Sequence, residues 1–194
     1  LRKYATDIRD SVLSDFKGQI EHYGVNDLFS PQINLIKCEN GSRIRFRGLD
    51  DSEKIKGLAD YKRVYLNELT QFDALDLKQI RKRLRGRHGQ QIVADWNPID
   101  SSHWVKADII DAEEWHDLDH DLNAPGFVRE NAAGDMLLIR TTYLDNYWIT
   151  GHPTREDVGY IDTHTINDFN RDKKNDFNYY KIYALGEWGK VETG

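Results

Sequence analysis

The sequence predicts an α/β fold, on three observations. Two short apolar runs, Val64-Tyr65-Leu66 and Ile92-Val93-Ala94, have the length and the β-branched or aromatic content of buried strands. A helix-patterned stretch lies between them, and strands interleaved with helices favour parallel pairing. Each run also ends in polar side chains, Asn67-Glu68 after the first and Asn97-Pro98 after the second. Open sheets of this class bind ligands outside the carboxyl ends of their strands, so two such ends side by side predict one site.

In chain order, residues 6–23 read as a helix capped by Thr6, with Ile8, Val12, Leu13, Phe16 and Ile20 on one face and Gly24 as its stop. Residues 33–37 and 43–47 are strand-like. Between them, Asn40-Gly41 supplies the positive φ angles of a tight hairpin. Asp51 or Ser52 caps a short helix over 53–58, before the first apolar run. Residues 73–85 predict a helix with Leu77, Ile80 and Leu84 on one face and Lys78, Arg81, Lys82, Arg83 and Arg85 around the others. Gly86 and Gly89 close it. The polar, acidic stretch 108–135, with Pro125, Gly126 and Gly134, reads mostly as a surface insertion. An apolar strand follows over 136–143 and a turn over 144–146. One or two short helices fall within 154–175, and a last helix over 177–185 ends at Gly186. No internal repeat or low-complexity segment is present.

At 194 residues the chain predicts one domain with a real core. Its 39% apolar content is low, yet 5 Trp and 10 Tyr are too many for a disordered chain. A formal charge of -6 argues against a uniformly basic nucleic-acid binder and restricts any such contact to a local stripe. The single Cys38 excludes an internal disulfide and fits a reducing compartment. No stretch approaches the ~20 apolar residues of a membrane span, so no membrane partner is expected. The first residue is not Met, which predicts a piece of a longer protein.

Several segments, taken in order, resemble phage terminase large subunits. They are Gly41-Ser42-Arg43-Ile44-Arg45-Phe46-Arg47-Gly48-Leu49-Asp50-Asp51, Lys54-Ile55-Lys56 and Tyr65-Leu66-Asn67-Glu68. Leu84-Arg85-Gly86, Trp96-Asn97-Pro98, His103-Trp104-Val105, Thr142-Tyr143-Leu144-Asp145-Asn146 and Tyr183-Ala184-Leu185-Gly186-Glu187-Trp188-Gly189 continue the match. The resemblance is to the ATPase half of prophage-type packaging motors. It implies a RecA-like P-loop NTPase-type three-layer sandwich with a mostly parallel sheet, truncated at its N-terminus, plus the local hairpin. Residues 1–189 would be a partial ATPase domain, and 190–194 the start of a linker to a nuclease domain. The Gly-x-x-x-x-Gly-Lys-Ser/Thr phosphate loop of such enzymes occurs nowhere in the sequence. This implies no ATP turnover by the chain alone. ATP and Mg2+ would be ligands of the intact parent. Its partners would be double-stranded DNA, a portal protein and a small terminase subunit, in the cytoplasm of the bacterial host. A missing central strand would leave unpaired edges and predicts homo-oligomerisation.

By the same resemblance, Glu68 orients and activates the water that attacks the γ-phosphorus. Asn67 stands where the family often has the Asp that supports magnesium, and it offers an amide oxygen without charge. Asn97 corresponds to the segment that couples γ-phosphate to motion; Asn-Pro is also a loop signal in its own right. Lys54 and Lys56 lie where related motors carry a basic residue acting in trans, the alternative being a solvated helix face. Lys78, Arg81, Arg85 and Arg87 could meet DNA phosphates or merely complement a helix dipole. Around them stands the second reading, a non-catalytic DNA- or protein-binding α/β module. His116, Asp117, Asp119, His120 and Asp121 fit no zinc spacing and read as a solvated loop, so no metal site is assigned to them.

Overall fold

The computed structural model describes residues 1–4, 8, 12–49, 57–84, 86–118 and 125–190. The chain forms two compact units, Leu1–Trp96 and Asn97–Gly194.

In the first unit, helix α1 (Leu13–His22) buries Leu13 and Ile20. Gly24, at φ 63°, takes the left-handed turn that ends it. The Gly24 and Val25 amides donate back to the Glu21 and Ile20 carbonyls at 3.1 Å each, closing the last turn. Thr6, the expected cap, lies outside the described residues. Strands β1 (Phe29–Pro31), β2 (Leu35–Cys38) and β3 (Arg43–Arg45) make an antiparallel sheet in the order β1-β2-β3. β2 and β3 are the expected hairpin around Asn40-Gly41, and β1 is a strand that the sequence reading did not anticipate. Ile36, 1% exposed, joins Ile8, Leu13 and Ile20 in the core, with Phe16, Val25, Phe29 and Phe46 packed around it.

β4 (Arg63–Leu66) and β5 (Gln91–Ala94) pair parallel, Val64 opposite Ile92 and Leu66 opposite Ala94. Between them α2 (Ala74–Arg83) buries Leu77 and Ile80, and β4 buries Val64 and Leu66. Asp73 precedes α2, and its own amide donates to Asp76 Oδ2 at 3.0 Å. Leu1 lies along the edge of β4 away from β5: its nitrogen donates to the Tyr65 carbonyl, and its carbonyl accepts from the Asn67 amide. Arg2 then bridges in parallel to Gly48. The expected helix over 53–58 falls mostly outside the described residues.

In the second unit, β6 (Trp115–Asp117), β7 (Phe127–Asn131) and β8 (Leu137–Arg140) form an antiparallel sheet. This corrects the reading of 108–135 as a surface insertion. Its strand residues are polar because they pair across the ladder: Arg129 donates to its register partner Asp117 at 2.7 Å, and His116 lies 3.6 Å from its partner Glu130. His116 and Asp117 are therefore strand residues, not loop. Asn131, 1% exposed, fastens the β7–β8 turn. Its Oδ1 accepts from the Asp135 and Met136 amides at 3.1 and 2.9 Å, and its Nδ2 donates to Glu113 and Asp135 at 3.0 and 2.9 Å. Asn131→Ala leaves two amides without that acceptor and is expected to cost about 2 kcal/mol in urea unfolding.

Helices α3 (Tyr147–Thr150), α4 (Thr163–Asn175) and α5 (Phe177–Tyr183) complete this unit. Asp162 and Asp176 cap α4 and α5 by accepting from the Thr165 and Tyr179 amides. Gly189 exchanges backbone bonds of 2.9 Å with Pro98 and Ser101. A Cβ there would stand 2.4 Å from Ile182 Cδ1, so only glycine fits. The α/β class is as the sequence predicts. The expectation of a mostly parallel sheet needs correction: among the named strands only β4 and β5 pair in parallel, and the other two sheets are antiparallel. The reason is connectivity, since the links within β1–β3 and β6–β8 are nine residues or fewer, shorter than the crossover that parallel pairing requires.

Candidate active site at the ends of two parallel strands

β4 leaves its ladder at Asn67-Glu68, where the sequence places the chemistry. Glu68 has φ 61° and ψ 62°. It is the one non-glycine residue with positive φ among the described residues. A left-handed L-residue costs on the order of 1 kcal/mol, and such strain persists where surrounding bonds over-determine it.

Those bonds come from Asp95, immediately after β5. Its main chain prolongs the ladder, the amide donating to the Leu66 carbonyl at 3.1 Å and the carbonyl accepting from the Leu69 amide at 2.7 Å. Its carboxylate takes over where the ladder stops. Oδ1 accepts from the Glu68 amide at 2.6 Å, Oδ2 accepts from the Tyr65 hydroxyl, and Asn67 Nδ2 donates to both oxygens at 3.1 Å. Asn67 Oδ1 in turn accepts from Arg2 Nε at 2.6 Å. The amide of Asn67 is thus fixed in orientation by an anion on one side and a cation on the other.

Asp95, Tyr65 and Arg2 are the residues the sequence reading missed. Asp95 carries the same signal used for Glu68, a carboxylate at the C-terminal end of an apolar run. Asn97, singled out instead, begins the second unit, where its carbonyl accepts from the Ile99 amide at 2.9 Å. On α2, Lys78 and Arg81 are exposed. Arg87 is paired with Asp60 at 2.7 Å, both side chains well exposed. Lys54, Lys56 and Arg85 lie outside the described residues, as do Asp119, His120 and Asp121. Among the described residues no three His, Cys, Asp or Glu side chains converge as a metal site.

Two protons are held unusually tightly here. Burial, and after it the hydrogen bond to Asp95, pushes the Tyr65 phenol up to about 12. Lys3 bonds Asp73 and Asp76 at 2.7 and 2.6 Å, and these carboxylates, Asp73 first, raise its ammonium above the usual lysine range. Both pKa values are higher folded than unfolded, so the unfolded chain sheds these protons first. Stability is expected to be full below about pH 10 and to fall as the pH rises beyond it. Urea unfolding at stepped alkaline pH checks this; a flat profile there contradicts the paired states.

A family model described as phage terminase large subunit matches residues 1–187. The chain belongs to the phage terminase large subunit family. This terminase chain is 24% identical over 151 residues to the PBSX phage terminase large subunit of Bacillus subtilis (strain 168). The match takes in 70% of the chain and 34% of that relative. Two crystal structures of the large terminase from a thermophilic bacteriophage, one of them in complex with ADP, each align with a TM-score of 0.64. They cover 97% of this chain and 39% of theirs at 16% and 15% identity, a likeness of fold. The terminase chain therefore spans well under half the length of the relatives it matches. No described helix is long and apolar enough to cross a membrane.

Proposed function

We propose that the first unit carries the catalytic strand end of an ATP-hydrolysing DNA-packaging motor, whose full activity belongs to the longer large subunit. The observation that carries the reading is Glu68, held in a left-handed turn at the mouth of two parallel strands and clamped by Asp95. Family membership supports it, and so does the likeness to a large terminase solved with ADP.

Hydrolysis requires a water aligned with the γ-phosphorus. Its oxygen bonds to phosphorus, the bond to the bridging β,γ-oxygen breaks, and ADP departs with that electron pair. In this reading Glu68 orients the water and takes the proton it loses. The left-handed turn sends the Glu68 side chain out of the alternation of β4, while the Glu68 amide stays bonded to Asp95. The nucleophile's partner is thereby separated from the strand's own packing.

Magnesium would supply positive charge across the phosphate oxygens when bound. Asn67 does not fit as its ligand, because its oxygen already faces the Arg2 guanidinium. Asp95 already accepts four hydrogen bonds, so the carboxylate that could support the ion through water is Glu68, with the phosphates as its principal oxygen donors. Duplex DNA, a portal protein and a small subunit are the partners this reading implies, in the host cytoplasm. The test is ATP turnover by the intact large subunit with and without Glu68→Gln; equal rates would overturn the role of Glu68. Lys78 and Arg81, exposed on α2, keep the second reading open, a DNA-binding module.

A further inference from the structure

The β2–β3 hairpin carries an unassigned polyanion surface. Strand alternation puts Lys37, Arg43 and Arg45 on one face of the ribbon, and register sets Lys37 directly opposite Arg43. All three are exposed. The other face is anchored, because Ile36 is buried in the core against α1. Leu35, on the cation face opposite Arg45, is buried as well, so the base of the ribbon is anchored on both faces while Lys37, Arg43 and Arg45 stay exposed.

Like charges directly across two strands destabilise a sheet, and natural pairs at such positions are usually of opposite sign. Among the described residues Lys37, Arg43 and Arg45 enter no ion pair, so no described carboxylate offsets them. The exception is notable in a chain of net charge -6. Elsewhere the same chain does pair charges across strands, as with Arg129 and Asp117. An uncompensated cross-strand cation pair is a cost that binding an anion would relieve.

We infer that this face of the β2–β3 ribbon binds the phosphate backbone of duplex DNA. The three cations are spaced by about 5 Å across the strands and about 7 Å along β3, as cross-strand and alternate strand positions are. Duplex DNA offers one phosphate for about every 1.7 Å of axis, so a ribbon lying along it meets several at once. The guanidinium forks of Arg43 and Arg45 match phosphate oxygens in pairs. The choice of DNA over an acidic protein rests on the packaging role proposed above.

Fluorescence anisotropy of a labelled duplex of about 30 base pairs, titrated with this chain over a salt series, tests the surface. The triple variant Lys37→Gln/Arg43→Gln/Arg45→Gln is expected to bind at least about 10-fold more weakly near 50 mM salt, with the salt slope reduced by about 2 to 3. Lys173→Gln/Lys174→Gln, both exposed on α4, should change little. Lys37→Gln alone should weaken binding while raising the melting temperature, because it removes the like-charge pair; a residue needed only for folding would move both downward. Three results would overturn the proposal: no binding by the wild-type chain at low salt, a triple variant within about twofold of wild type, or equal affinity of the ribbon for polyglutamate of matched charge. If the ribbon binds DNA but Glu68→Gln leaves turnover of the large subunit intact, the catalytic reading fails and this surface stands.

Discussion

Glu68→Gln in the intact terminase large subunit is expected to lower the ATP turnover number by about 10²- to 10⁴-fold with little change in nucleotide affinity. That range is what one positioned general base contributes. Gln is isosteric and keeps the turn but cannot take the proton. A loss in turnover with KM preserved would mark an interaction made chiefly in the transition state; a rise in KM alone would mark simple binding. Glu68→Gly separates conformation from chemistry. Glycine adopts φ 61° without the Cβ penalty, so this variant should abolish turnover while holding or raising stability by up to about 1 kcal/mol. A glutamate kept where glycine would be the easier residue is hard to explain by folding alone. Steady-state phosphate release and urea unfolding of the same proteins measure the two sides.

Asp95→Ala should be the most damaging single change to the first unit outside its core, at about 3 kcal/mol in urea unfolding. Its carboxylate accepts from the Tyr65 hydroxyl, the Asn67 amide and the Glu68 backbone amide, and alanine strands all three donors at once. The melting temperature should fall by at least about 10 °C. Asp95→Asn should recover part of this, because one oxygen can still accept from the Glu68 amide while the new NH2 opposes that of Asn67. In both variants the late tyrosine in an ultraviolet titration should move from about 12 toward the ordinary value, since the bond to Asp95 contributes to the Tyr65 shift. A melting temperature equal to wild type in Asp95→Ala would show that the left-handed turn at Glu68 holds itself.

The apolar runs around Val64 and Ile92, the intervening helix with Leu77 and Ile80 buried, and the Asn-Gly hairpin were all legible, because each is a local pattern that burial and turn chemistry enforce. The second unit was read less well. His116, Asp117, Arg129 and Glu130 look like loop residues in a linear string. They become strand residues because each finds a partner of matching chemistry across an antiparallel ladder, and that partner lies more than ten positions away. Asn131 is a similar case: a polar side chain read as surface is 1% exposed, since four hydrogen bonds satisfy it internally.

The sequence by itself determined the α/β class, the position of Asn67 and Glu68 at a strand end, and, through its ordered motifs, the family. These follow from periodicity, turn residues and local polarity, which are properties of neighbours along the chain. Only the tertiary structure decided that Asp95 grips Glu68 by its backbone, that Arg2 turns the Asn67 amide, and that Lys37 faces Arg43 directly across the ribbon. Those relations depend on strand register and on the closure of long loops, and no local interaction encodes which distant donor will meet which acceptor.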